Sequence, residues 1–552
     1  MISRQSGRAL ALSFLCLTAF ALPVALTGAA TVTNANENAH TLVLSLPGSF
    51  NGCSYLNSGA TPTTDAILDL VRPSAFITGA NGALAGEGGA IAAAELTSLQ
   101  PETVRYTIAP AQKWSDGVPF TARDLVGWWR RARALSSVVS DGYRAIKTMS
   151  VSPDGLAVTA VFATPYADWN LLFRDVEAIG TSKSCAIGNL VTEPSLGPYR
   201  VTSATATRVV LAMNTAWPLD TNRFGRIVIT DSSLLPKTSS NVYASYSLAL
   251  NRGQIELLST YPTLLSHILS SSTVEELTFA PSRPLIQRVV VRRALSWSID
   301  RQNLINKLFG TVTFSPSVAA SVVYSQGQSQ YPGTSGAGPG GPATTTSAPG
   351  LLNNGLSDCL ACALDLLRTS GYHRSSAGWL SDAGQLLAIR LGVGPSALDH
   401  SVAKILSSDW ARLGVSTRAI DESSDTRAAQ AAASNEVDAA VFSRPTLSAP
   451  SFAARSWAGP AYPNTFPSGV RTLALTTLFT KATAIFNPVT ASATWLRLDQ
   501  IIMRNYWVRP LFTPPSLVVW SSSLATVLNS ISVAGLVDQV PTWSIAPTSL
   551  PS

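Results

Sequence analysis

Histidine is scarce in this chain, with four among 552 residues, at positions 40, 267, 373 and 400. The paired histidines that hold a catalytic zinc on one helix face are therefore missing. Charge is scarce too, at 13% of residues, where an ordinary globular chain has about a quarter. The net charge of +7 is thinly spread, and "RRARA" (130–134) reads as a solvated helix face, so no nucleic-acid partner is expected. Phosphate-binding loops ending in Gly-Lys-Ser/Thr and serine nucleophile elbows are absent. The glycines of "GAGPGG" (336–341) fit the spacing of a dinucleotide fingerprint, but they lie in a low-complexity tract, and proline stands where a helix should open. No spacing announces a carboxylate pair. The residues point to no enzyme, cofactor or metal, and a secreted hydrolase stands only as the alternative from another class. What the chain has is apolar residues, 46% of the total, on a length that calls for two or three cores.

Arg4 and Arg8 precede an apolar run from Ala9 to Leu26, followed by "TGAAT", and charge returns only at Glu37. A positive start, an apolar stretch and small residues describe a secretory signal over 1–30, either cleaved near Ala30 or kept as an anchor. Leu15 before Cys16 does not fit a lipid-modified cysteine. An exported chain would carry Cys53, Cys185, Cys359 and Cys362 in an oxidising compartment, and four cysteines allow three pairings. "CLAC" (359–362) opens a helical stretch, and its spacing suits a local disulfide or a redox pair. The favoured reading is a structural Cys359–Cys362 bridge, which leaves Cys53–Cys185 by elimination.

From 31 to about 261, short strands alternate with helices and turns: "HTLVLSLPG", "VRYTIAP", "LAVTAVFA", "RVVLAMN", "RIVITDS". Such text describes α/β sheets covered by helices. From 262 to 508 the chain opens on the helical "VVVRRALSWSIDRQNLINKLFG". "LLAIRLGVG" and "VDAAVFSRP" read as strands, with the helix "HSVAKILSSDWARLGV" between them. Residues 325–350 are Gly/Ser/Pro/Thr-rich and read as a long flexible loop. "RPLFTPPSLVVW" and "NSISVAGLV", in 509–552, are strand-like.

Tyr106–Trp129 packs a strand, an Asp116-Gly117 turn and a helix capped by Thr121 and Asp124 into one corner. Within it, "WSDGVPFTARDLV" resembles a signature of the extracellular solute-binding proteins that feed peptide and nickel ABC importers (family 5, the dipeptide/oligopeptide-binding type). "GPYRVTS" (197–203) with "LAMNTAW" (211–217), "VRRALSWSIDRQNLI" (291–305), "ALDLLRTSGY" (363–372) and "RPLFTPP" (509–515) are similar to further segments of that family, in the same order.

The resemblance implies a two-lobed α/β fold of the periplasmic-binding-protein kind (type II, large peptide-binding subclass) with a hinge of two crossing strands. Lobe 1 would span 31–261 with an additional subdomain, lobe 2 would span 262–508, and 509–552 would return to lobe 1. It implies an extracytoplasmic monomer that encloses a peptide-like solute and delivers it to an ABC permease, or else a regulatory or envelope-assembly member that has lost transport. The corner around Trp114 would be packing and not ligand contact. Peptide binders of this kind hold the α-ammonium with an aspartate just after the strand that here reads "VDAAVFSRP". After Asp438 this segment carries Arg444 and Arg455 and no acid before Trp457, which speaks against ordinary short peptides and leaves room for an N-blocked peptide, an anionic solute or an uncharged one. The site residues implied are Asn51 on the cleft rim, Phe279 and Arg283 near the hinge, and Arg444 and Trp457 flanking the missing acid. Arg444 reads equally as an anion partner, through its planar fork, or as a surface residue.

Overall fold

A computed structural model describes residues 41–545, apart from 54–55, 58–60, 81, 136–139, 182–183, 218–223, 232–241, 249–255, 257–259, 262–263, 311–315, 325, 327, 329, 333–358, 447–448, 460–466, 526 and 528–529. The expected signal segment and nearly all of the 325–350 tract fall outside the described residues.

β-Branched and aliphatic runs become strands, and alternation sets their inner faces. The strand Thr41–Leu46 buries Leu42, Leu44 and Leu46 completely. It lies in a seven-stranded sheet ordered Leu264–Ser270, Pro515–Ser521, Val242–Leu248, Thr41–Leu46, Arg226–Asp231, Arg208–Met213, Tyr199–Thr205. A second, four-stranded antiparallel sheet is formed by Ile91–Leu99, Glu102–Ile108, Ala157–Phe162 and Ile146–Val151. It packs its own core of Tyr106, Trp114, Trp128 and Tyr143. A third, five-stranded sheet runs Ser416–Asp421, Ala388–Val393, Ala439–Pro445, Thr273–Phe279, Val508–Phe512. Its core joins Leu277, Phe279, Leu391 and Val441 to the helices Val289–Trp297, Arg301–Phe309 and Ala397–Leu413.

The chain passes from the first sheet to the third at Ser271–Ser272 and returns at Thr513–Pro514. The two crossings touch, because Ser271 N donates to Pro514 O at 3.0 Å; Thr446, just after the strand Ala439–Pro445, donates its N–H to Ser272 O at 2.6 Å. The changeover therefore lies a few residues beyond 262 and 509. Leu264–Ser270 pairs with Pro515–Ser521 in the first sheet, while Val508–Phe512 stays in the third. Residues 273–512 form the second unit, inserted into the first.

The helical stretch at 289–309 is two helices, because Asp300 caps a new one by accepting from Asn303 N. "SVAGLV" forms a short helix, Val533–Val537, where strand-like text was expected. Ser532 caps it, and the consecutive buried residues Gly535, Leu536 and Val537 do not follow a strand's alternation. Both disulfides are formed, Cys53–Cys185 and Cys359–Cys362.

Candidate functional site

The corner at 114–129 is packing. Trp114 Nε1 donates to Asp124, Trp128 Nε1 to the Tyr143 hydroxyl, and Trp129 Nε1 to Tyr143 O. Thr121 and Asp124 close a capping box. Gly197 of "GPYRVTS" is needed for close approach, since a Cβ there would stand 2.6 Å from Leu70 O.

The two units also meet along a seam with the four-stranded sheet on one side. Its helix Ser140–Ala145 supplies Asp141, and the turn after Ala157–Phe162 supplies Tyr166, Ala167 and Asp168. Opposite stand two helices of the second unit, Pro450–Ala458 and Leu473–Thr483. Pro450 begins the first of these, where its lost N–H is of no consequence. Arg455 Nη1 donates to Asp141 Oδ2 across the seam. Ala167 N donates to Thr483 O at 2.9 Å. Phe452 packs against the core of the four-stranded sheet. The Asp168 carboxyl lies beside the Ser451 hydroxyl, and burial holds its pKa above the usual range, against the pull of Ser451 and Arg455. Tyr166 N donates to Glu102, whose own pKa burial raises to about 7. The seam thus mixes one apolar contact with directional polar ones. Such a surface fixes the relative placement of two bodies.

Asn51 follows Thr41–Leu46 at the hinge end of the first sheet, where the Cys53–Cys185 bridge and the Gly52 N to Cys185 O bond at 3.0 Å hold its loop. Its Oδ1 accepts from Cys53 N at 2.9 Å. Phe279 and Arg283 are not near the hinge. Thr273–Phe279 runs away from the crossing, so Phe279 lies about 20 Å off, at some 3.4 Å per residue. Phe279 is fully buried in the second unit's core, and Arg283 Nε pairs with Asp438 at 2.7 Å. Arg444 lies at the hinge end but is no surface residue. It is 2% exposed, donates to Glu276 at 2.8 Å and to Val322 O at 2.9 Å, and faces inward. Trp457 is buried in the cluster that includes Val322. The structure therefore brings Arg444 and Trp457 to one core, sets Asn51 across the hinge, and leaves Phe279 and Arg283 at the far end.

Asp141, Asp168 and Ser451 escaped sequence reasoning, because no local pattern marks a residue whose partner is hundreds of positions away. Arg455 had a signal, as the second cation of a segment without acids. Among the described residues no group of three His, Cys, Asp or Glu side chains is placed to hold a metal ion, and no helix is long and apolar enough to cross a membrane.

The family model for bacterial extracellular solute-binding proteins, family 5 Middle, matches residues 89–461. The chain belongs to this family. Its fold is that of the type II periplasmic binding proteins. The periplasmic EDTA-binding protein EppA superposes with a TM-score of 0.76 at 19% identity, over 92% of this chain and 96% of that one. NikZ from Campylobacter jejuni, solved with Ni(L-His), gives 0.70 at 15% over 91% and 99%. AppA from Bacillus subtilis, solved with a nonapeptide, gives 0.68 at 13% over 92% and 99%. At these identities the likeness is one of fold. In sequence, the chain is 29% identical over 194 residues to the oligopeptide-binding protein OppA of Mycobacterium tuberculosis, covering 32% of each. It is 31% identical over 131 residues to LpqW of the same species, a probable monoacyl phosphatidylinositol tetramannoside-binding protein, covering 22% of this chain and 20% of that one. The match thus spans about a third of OppA and a fifth of LpqW.

Proposed function

We propose that this protein is an extracytoplasmic receptor that closes two units around a peptide-like solute and delivers it to the permease of an ABC importer. The observation that carries the reading is the pair of adjacent crossings at 271–272 and 513–514, which leave the second unit free to swing against the first. Family membership and the oligopeptide-binding relative favour a peptide-like ligand. An extended ligand would be held through backbone hydrogen bonds, with Asn51 on the first unit's rim. Arg444 is engaged by Glu276, so an anionic ligand group has no claim on it, and a blocked or uncharged peptide suits the site better. The protein acts as a monomer and turns nothing over.

Native mass spectrometry of the gently purified protein tests this. A bound peptide mass supports the reading. A bound glycophospholipid favours an envelope-assembly role, which the likeness to LpqW makes the specific second reading. Degradation of added peptides overturns both.

A further inference from the structure

Among the described residues after the strand Ala439–Pro445, Arg455 carries its charge across to the other unit. Its side chain is 2% exposed, and its guanidinium lies 5.3 Å from the Phe479 ring of its own unit. Aromatic stacking and packing hold the group in place on the second unit. The first unit supplies carboxylates: Asp141, whose other oxygen accepts from Arg144 at 2.6 Å, and Asp168, close enough to feel the Arg455 charge. Asp141 is 25% exposed, so the two partners are unequally buried.

We propose that Arg455 and Asp141 form a latch that makes closure of the two units depend on their exact alignment. Separated units leave the seam face of Arg455 open to water. Closure strips that water away, and the closed form is favourable when the first unit's carboxylates, Asp141 foremost, arrive to replace it. A buried pair of this kind adds little net strength, but an unpaired member is strongly unfavourable. The latch therefore rejects misaligned closure more than it strengthens correct closure. Ala167 N on Thr483 O and Phe452 on the four-stranded sheet's core fix the same alignment by other means.

The inequality of burial makes the prediction asymmetric. Asp141→Asn, an isosteric change, leaves the buried guanidinium facing a neutral amide, with the Asp168 carboxyl still near it. Arg455→Met leaves a partly exposed carboxylate that still has Arg144. The first variant should open the protein more than the second, and the two combined should return it toward closure. Spin labels at the exposed positions Val118 and Leu473 report the distance between the units by pulsed electron–electron resonance. Wild type should give a short-distance population from molecules with the seam in contact. Asp141→Asn should add a longer-distance population, and Asp141→Asn with Arg455→Met should lose most of it. Superimposable distributions for wild type and Asp141→Asn, or additive opening in the double variant, overturn the latch. The inference rests on the two units enclosing a solute. Because the distances are read with no ligand added, failure of the latch leaves that reading standing.

Discussion

Arg444 shows what burial does to a residue that sequence offers as a ligand anchor. Its guanidinium and the Glu276 carboxylate are each 2% exposed, on adjacent strands of the five-stranded sheet. Removing one member leaves the other charged and dry. Arg444→Ala should therefore cost about 3–5 kcal/mol of folding stability in chemical denaturation. Adding Glu276→Gln should recover part of that loss. A loss below about 1 kcal/mol, as for ordinary surface changes, would place Arg444 outside the core. Glu275, on the opposite sheet face, joins a different group. Asp399 and Asp425 approach the same Gly394, with oxygens 2.6 and 2.7 Å from where its Cβ would be. Ser443 donates to Glu275 through its hydroxyl and to Asp425 through its N–H. The basic side chains on the neighbouring elements are His400, beside Asp421 at 3.3 Å, Arg427, paired with Glu422 and Glu436, and Arg509, whose strand position is opposite Leu277. Burial, with Asp399 beside it, raises the Asp425 pKa to about 7. A carboxyl raised in the fold binds its proton more tightly there than in the unfolded chain. Its penalty is thus absent below about pH 4 and accrues until about pH 7. Asp425→Asn should reduce the fall in Tm between pH 5 and 8 without abolishing it, since Glu275 and Asp399 are also raised. Parallel curves for the two proteins would exclude this role.

At the scale of elements, what was legible was local. Thr121 and Asp124 lie three apart and make the capping box that their spacing announces. The helix read over 400–415 runs Ala397–Leu413, since a capping box of Ser396 and Asp399 starts it earlier and Gly414 in the left-handed region ends it. The "VRRALSW" and "DRQNLI" helices are legible as apolar stripes, but the break between them depends on the Asp300 cap. "SVAGLV" carries no periodicity long enough to separate a helical turn from a strand, and neighbours decide it. The disulfide Cys53–Cys185 joins residues 132 apart, so it followed only from counting cysteines. The seam pair Arg455–Asp141, 314 residues apart, had no such arithmetic to reveal it. Family likeness offers Asn51 as a cleft-rim residue, and it lies at the hinge end of the first sheet, whereas Phe279 and Arg283 lie far from the crossing because the strand Thr273–Phe279 runs its whole length away from it.

At the scale of the whole molecule, the inserted arrangement has a consequence for folding. The third sheet draws every strand from between Thr273 and Phe512. The cores that cover it, from Leu277 to Phe512 and from Val322 to Val508, are likewise built within that span. Its ends emerge together, with Ser271 N on Pro514 O. A body with its own core and adjacent ends satisfies the conditions for folding alone. Residues 272–513 expressed by themselves should unfold cooperatively and keep the near-ultraviolet dichroism of Trp379, Trp410 and Trp457, which are buried in these cores. The cost of excision falls on the seam, where Phe452 and Arg455 lose the four-stranded sheet. The fragment should therefore melt somewhat below the full chain, and fluorescence quenching should find those three tryptophans still shielded. A fragment with fully quenchable tryptophans and no cooperative transition would mean that the second unit requires the first to close its core. The swing proposed for solute capture would then have to be a smaller motion within one rigid body.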